Sequence, residues 1–156
     1  KQMSLTSAHN TVALLGREQM DKHGPFLIYN WTKKEKAEHD VDKFAGTMIS
    51  KNGYEHTREI KQTGYGYLIT DKINSTNGDC IFYFHTPCDV KTISPNEFEL
   101  IYHNEPVGKI KTSLNATVNK TFRSLFYLKK EEIHCIEASG KIVDQECKAK
   151  FAVELY

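Results

Sequence analysis

Apolar positions along this chain change their period near residue 46. Before it, Leu5, Ala8, Val12 and Leu15 recur at steps of three and four, the spacing of one helical face. Ser4 or Thr6 stands where a cap would sit, and Gly16 weakens the pattern before Met20, so a short helix is predicted between residues 5 and 15. Gly24-Pro25 breaks the chain, and residues 26–31 read as a strand. Thr32-Lys33-Lys34-Glu35 then has the form of a capping box. Ala37, Val41, Phe44 and Ala45 fall on one face behind it and Gly46 can stop it, predicting a second helix over 32–46.

From Met48 onward the period moves toward two. Asn52-Gly53 and Asn77-Gly78 are hairpin dipeptides, and Ser139-Gly140 is a weaker one. Strands are predicted at 54–62, 64–70, 81–85, 97–103, 107–111, 122–128 and 132–136. A final strand over 147–155 is the clearest: Cys147, Ala149, Phe151, Val153 and Leu155 alternate with Lys148, Lys150 and Glu154. The chain of 156 residues is the size of one domain, residues 1–156. The fold class is mainly β: an antiparallel sandwich or barrel-like sheet of about eight strands with one or two short N-terminal helices. The alternative is a helix wrapped by a curved antiparallel sheet.

Composition adds an address. Net charge is +1, and arginine occurs only at Arg17, Arg58 and Arg123, too few planar forks for phosphate or base-edge reading; nucleic acid is excluded as a partner. No apolar run approaches the ~20 residues of a membrane helix. Four N-glycosylation sequons begin at Asn30, Asn74, Asn115 and Asn119, where chance supplies roughly one. With an even number of cysteines they point to a secreted, extracellular glycoprotein. The chain shows no signal segment of its own, consistent with a leader already removed or with an excised ectodomain.

Cys80, Cys88, Cys135 and Cys147 are expected to be disulfide staples. Three pairings are open. An extended 80–88 segment would hold its two cysteines roughly 26 Å apart, against the ~7 Å a bridge tolerates. Cys135 and Cys147 could meet across a hairpin turning near Gly140, but that choice forces the strained pair, which favours long-range bridges between the central and C-terminal strands. No CxxC spacing supports redox or zinc chemistry.

Seven histidines invite a search for chemistry, and the sequence contains no metalloprotease, nucleophile-elbow, phosphate-loop or dinucleotide motif. No cofactor and no metal site are expected. His85 and His134 flank cysteines, Glu131-Glu132 alternate across a strand, and Lys33, Lys34 and Lys36 form a basic cluster with the composition of a solvated face. The one local feature suggesting function is Gln62-Thr63-Gly64-Tyr65-Gly66-Tyr67. Its glycines free the backbone while its tyrosines offer amphipathic area, as in binding loops.

The order of capped helix, long strand, Gln62-x-x-x-Gly66, a further strand and paired cysteines resembles the cystatins, secreted inhibitors of papain-type proteases. Gly64 stands where their Gln-Val-Val-Ala-Gly hairpin has its central valine. The resemblance implies competitive protease inhibition through Gln62–Gly66. The leading expectation is a non-enzymatic domain that binds another extracellular protein, with Gln62, Gly64, Tyr65, Gly66 and Tyr67 as its binding residues. A carrier of a small apolar ligand inside a closed barrel is the third reading.

Overall fold

The computed structural model describes residues 5–24, 27–76, 78–126 and 129–156. Ser4, Pro25, the first residue of the 26–31 strand, Asn77 and the end of the 122–128 strand lie outside them. The fold is mainly β and antiparallel, with one 3-10 turn, Thr6–Ala8, as its helical content among the described residues.

In chain order the strands are β1 (Val12–Leu14), β2 (Asp21–Lys22), β3 (Ile28–Tyr29), β4 (Lys33–His39), β5 (Lys43–Ser50), β6 (Tyr54–Thr63) and β7 (Gly66–Asn74). There follow β8 (Asp79–Thr86), β9 (Asp89–Ser94), β10 (Glu97–Tyr102), β11 (Glu105–Thr112), β12 (Ala116–Phe126), β13 (Lys129–Lys141) and β14 (Glu146–Leu155). A large sheet runs β4-β5-β6-β7-β14-β11-β10-β9, a small one runs β1-β8-β13-β12, and β2 pairs with β3 alone.

The two sheets pack face to face, because period-two patterning gives each one apolar face. Ile73, Cys147, Ala149, Phe151, Ile110 and Phe98 line the large sheet's inner face. Val12, Leu14, Phe82, Ile136 and Ala138 meet them from the small sheet. Phe84 stacks on Phe151 across the gap, ring centroids 6.2 Å apart. Eight strands are covered by four, so the β4–β5 end of the large sheet extends past its lid. There Phe44 is about half exposed.

Both predicted helices give way to strands. Residues 32–46 form most of the β4–β5 hairpin, in which Asp40 N–H bonds the Lys43 carbonyl and the Asp40 carboxylate accepts from Val41 N–H at 2.7 Å. Pairing of β5 with β6 over eight residues supplies a continuous ladder that overrides the capping-box preference. Val12–Leu14 is an edge strand on β8, buried at all three residues because Ala13 is covered on the far face as well. The expected turn at Ser139-Gly140 lies inside β13, opposite Ile81 and Cys80. The chain turns later, at Asp144 and Gln145, both with positive φ between the bridged pair Val143 and Glu146.

Candidate functional site

One polar network ties the two sheets together. In the large sheet Arg58 stands opposite Asp71 on neighbouring strands, and Asp71 is completely buried. Arg58 grips that carboxylate with two of its three prongs, Nε to Oδ1 at 2.7 Å and Nη2 to Oδ2 at 2.8 Å. His56 Nε2 meets Oδ1 at 2.7 Å. Burial alone would raise the Asp71 pKa, but the hydrogen bonds from His56 and Arg58 outweigh it and hold the carboxyl below its usual range.

The third prong crosses to the small sheet: Arg58 Nη1 donates to the Asn10 backbone carbonyl at 2.5 Å. Asn10 in turn accepts on Oδ1 from the His85 backbone N–H at 2.6 Å and pairs with His85 Nδ1 at 3.0 Å. Since Oδ1 is an acceptor in both contacts, Nδ1 carries a proton toward it. The other ring nitrogen, Nε2, is buried. Burial of the ring and the adjacent His9 lower the His85 pKa, and the Ser7 backbone partly offsets them.

The segment that carries Asn10 is anchored at almost every residue. Thr6 N–H donates to Glu18 Oε2 at 2.6 Å, and Thr6 Oγ1 accepts from Gln19 N–H at 2.9 Å. Gln19 Nε2 reaches Thr11 Oγ1 at 2.9 Å, while the Thr11 carbonyl accepts from Tyr83 N–H at 2.8 Å. A loop fixed this firmly holds its exposed side chains in place, and the exposed imidazole in it is His9. His9 lines a pocket of about 50 Å³ with Thr6, Glu18, Gln19 and Lys22. Glu18 and Lys22 also line an open cleft of about 620 Å³ with Arg17, Asp21, His23 and Asn52. Asp21 accepts from Asn30 and Asn52 at 2.6 and 3.0 Å, and these two bonds lower its pKa. Leu5, Gly16 and Met20 complete the cleft's lining, a mixed surface on which charged and amide groups can orient a hydrogen-bonding ligand.

The residues singled out in the sequence lie elsewhere. Gln62, Gly64, Tyr65, Gly66 and Tyr67 make the tip of the β6–β7 hairpin, with Tyr65 81% exposed. Gly66 is not a flexible joint: a Cβ there would lie 2.0 Å from the Val153 carbonyl oxygen, so close strand approach demands glycine. Gln62 and Tyr67 share a third pocket, about 230 Å³, with His39, Phe44 and Ile60. Cys80, Cys88, Cys135 and Cys147, expected as disulfides, are all free thiols here. Asn115 and Asn119 are exposed along the outer edge strand of the small sheet. Asn74 closes β7 beside buried Ser75 and bonds Glu55, and Asn30 is tied to Asp21. Among the described residues, no three His, Cys, Asp or Glu side chains cluster as a metal site would require, and no helix is long and apolar enough to cross a membrane.

Asn10, Arg58, Asp71 and His85 are scattered over 75 residues of sequence, and their partnership comes from pairing across two sheets. Arg58 being one of only three arginines was the one available signal.

Comparison with known proteins settles the lineage. The architecture is similar to a heparinase III gene product, at 12% identity and a TM-score of 0.73, over 97% of this chain and 24% of that one. It is also similar to heparan sulfate lyase HepC from Pedobacter heparinus, at 12% identity and a TM-score of 0.65, over 97% of this chain and 25% of that one. The chain thus spans about a quarter of the length of these structures. No curated protein sequence matches it. Family membership overturns the expected non-enzymatic protein binder, and the inhibitor and carrier readings fall with it. Cystatin-like architecture needs a helix in the grip of a sheet, and a carrier needs a closed lumen; two open sheets packed on each other provide neither. The family described as Heparinase II/III-like, C-terminal matches residues 2–147, and the chain belongs to that family.

Proposed function

We propose that this chain is the β-sandwich portion of an enzyme that cleaves an acidic polysaccharide by elimination, and that the cleft beside His9 contacts the sugar chain. The family match over residues 2–147 carries the reading. In such a reaction a base takes the proton from the carbon next to a uronate carboxylate, the glycosidic C–O bond on the neighbouring carbon breaks, a carbon–carbon double bond forms, and the departing sugar oxygen takes up a proton. The enzyme must balance the carboxylate charge and move a proton. Arg17 offers a guanidinium for carboxylate or sulfate groups. His9 offers an exposed imidazole in an anchored backbone. Arg58 contributes no charge to the polymer, because all three of its prongs are engaged by Asp71 and Asn10; it positions the segment. A polymer of this size does not diffuse into cells, so the reading calls for an exported protein.

The test is incubation of the natural polypeptide carrying this chain with heparan sulfate, following the ultraviolet absorbance of the unsaturated uronate product. The expected result is product formation, reduced about 100-fold or more in kcat by His9→Ala with the melting temperature unchanged. Absence of unsaturated product from heparan sulfate and from other uronate polysaccharides overturns the lyase reading. Product formation unaffected by His9→Ala removes His9 and leaves the rest.

A further inference from the structure

The four thiols are not equivalent. Cys80 opens β8 in the small sheet and Cys147 opens β14 in the large one, both on inner faces. Between them lies Gly140 of β13, opposite Cys80 in the ladder. A Cβ on Gly140 would sit 2.5 Å from Cys147 Sγ and 3.1 Å from Cys80 Sγ. The two sulfurs therefore border the same space, the one a missing methyl group leaves, and lie close enough to interact with each other; glycine is what keeps that space open. The remaining cysteines are kept apart. Cys135 points to the opposite face of the same small sheet, under Tyr83 and Ala13, whereas Cys88 packs against the inner core. A sheet stands between those two.

We propose that Cys80 and Cys147 are an oxidisable pair that closes into a single covalent tie between the two sheets, while Cys88 and Cys135 stay reduced. The reaction is thiol–disulfide exchange with a small-molecule disulfide such as oxidised glutathione. Cys147 is 7% exposed against 1% for Cys80, so it is the entry point. Its thiolate attacks one glutathione sulfur, the glutathione S–S bond breaks, and one glutathione thiolate leaves. The Cys80 thiolate then attacks the Cys147 sulfur of the mixed disulfide, forming the Cys80–Cys147 bond and releasing the second glutathione. The two cysteine protons end on the two glutathiones; the protein loses two electrons and the glutathione disulfide gains them. Burial and the neighbouring Cys147 raise the Cys80 pKa, which makes closure slow at neutral pH and faster as pH rises. In the reduced chain the same pair packs as two small apolar side chains.

The experiment equilibrates the purified protein in glutathione buffers spanning reducing to oxidising ratios, quenches with acid, alkylates in denaturant and maps peptides by mass. The expected product is one cross-linked peptide pair containing Cys80 and Cys147, with Cys88 and Cys135 alkylated. Oxidation should also raise the melting temperature of the native protein, and Cys147→Ser should abolish that rise. Gly140→Ala, which fills the shared space, should suppress the cross-link even if it folds less stably. Full alkylation of Cys80 and Cys147 under the most oxidising buffer overturns the proposal. So does a bridge that involves Cys88 or Cys135, or a temperature rise that persists in Cys147→Ser.

Discussion

Replacing Arg58 with alanine strands a fully buried negative charge, and the size of the loss follows from the network. The wild-type guanidinium makes two bonds to the Asp71 carboxylate and one to the Asn10 carbonyl. After truncation Asp71 keeps His56, at 2.7 Å, as its side-chain partner, and it has no exposure through which water could compensate. Breaking one side of a buried ion pair costs about 3–5 kcal/mol, which in a domain of this size lowers the melting temperature by roughly 6–20 °C. Urea denaturation of wild type and Arg58→Ala, paired with thermal melts, gives the number directly. A second substitution isolates the cause. Asp71→Asn in the Arg58→Ala background removes the stranded charge and should recover at least about 1 kcal/mol. A loss below about 1 kcal/mol for Arg58→Ala, or no recovery on adding Asp71→Asn, refutes the claim that Arg58 compensates the buried Asp71 charge.

Acid should weaken the protein through the same residue. The Asp71 pKa is lower folded than unfolded, so its contribution is complete above the unfolded value of about 4 and is lost as pH falls through the folded one. The urea midpoint difference between wild type and Asp71→Asn should therefore shrink steadily below about pH 4; a constant difference would contradict the assignment. At the hairpin tip, Tyr65→Ala should change stability by no more than ~0.5 kcal/mol, because the ring is 81% exposed. Phe82→Ala, wholly buried between the sheets, should cost about 3–5 kcal/mol in the same denaturation assay. Equal losses at the two positions would mean the sandwich core has been misplaced.

Most strands after Met48 were readable from their alternation, and β14 shows why: Cys147, Ala149 and Phe151 are buried while Lys148 and Lys150 are exposed. The β4 strand offered no such signal. All seven residues from Lys33 to His39 are exposed, so no apolar period exists there, and the local capping pattern filled the gap with a helix. Edge position explains the composition, since lysines on an outermost strand discourage pairing with another chain. The first segment failed differently. Val12 and Leu15 match helical spacing with Leu5 and Ala8, yet Val12 and Leu14, two steps apart, form the buried face of a strand while Leu15 is exposed. The network of Asn10, Arg58, Asp71 and His85 was illegible for another reason. Each residue is ordinary in its own stretch, and only the register of β6 on β7 and the docking of the small sheet bring them together. Glycines carried a mixed message: Gly66 and Gly140 looked like turn or loop residues, but both mark places where another chain segment approaches too closely for a Cβ.

The placement of β14 has a consequence for how the chain reaches this state. It lies between β7 and β11 in the large sheet, yet it follows all the other strands in sequence. As the chain emerges from the ribosome, the β4–β7 block and the β9–β11 block can each form from neighbouring hairpins, but neither has its central neighbour. Two unsatisfied strand edges therefore stand open until residues 146–155 arrive to zip them together. Loop closure between distant segments is slow, so this interval is when the polypeptide is most exposed to mispairing. The alternating lysines of β14, carried on the face away from the core, keep that late segment soluble while it waits.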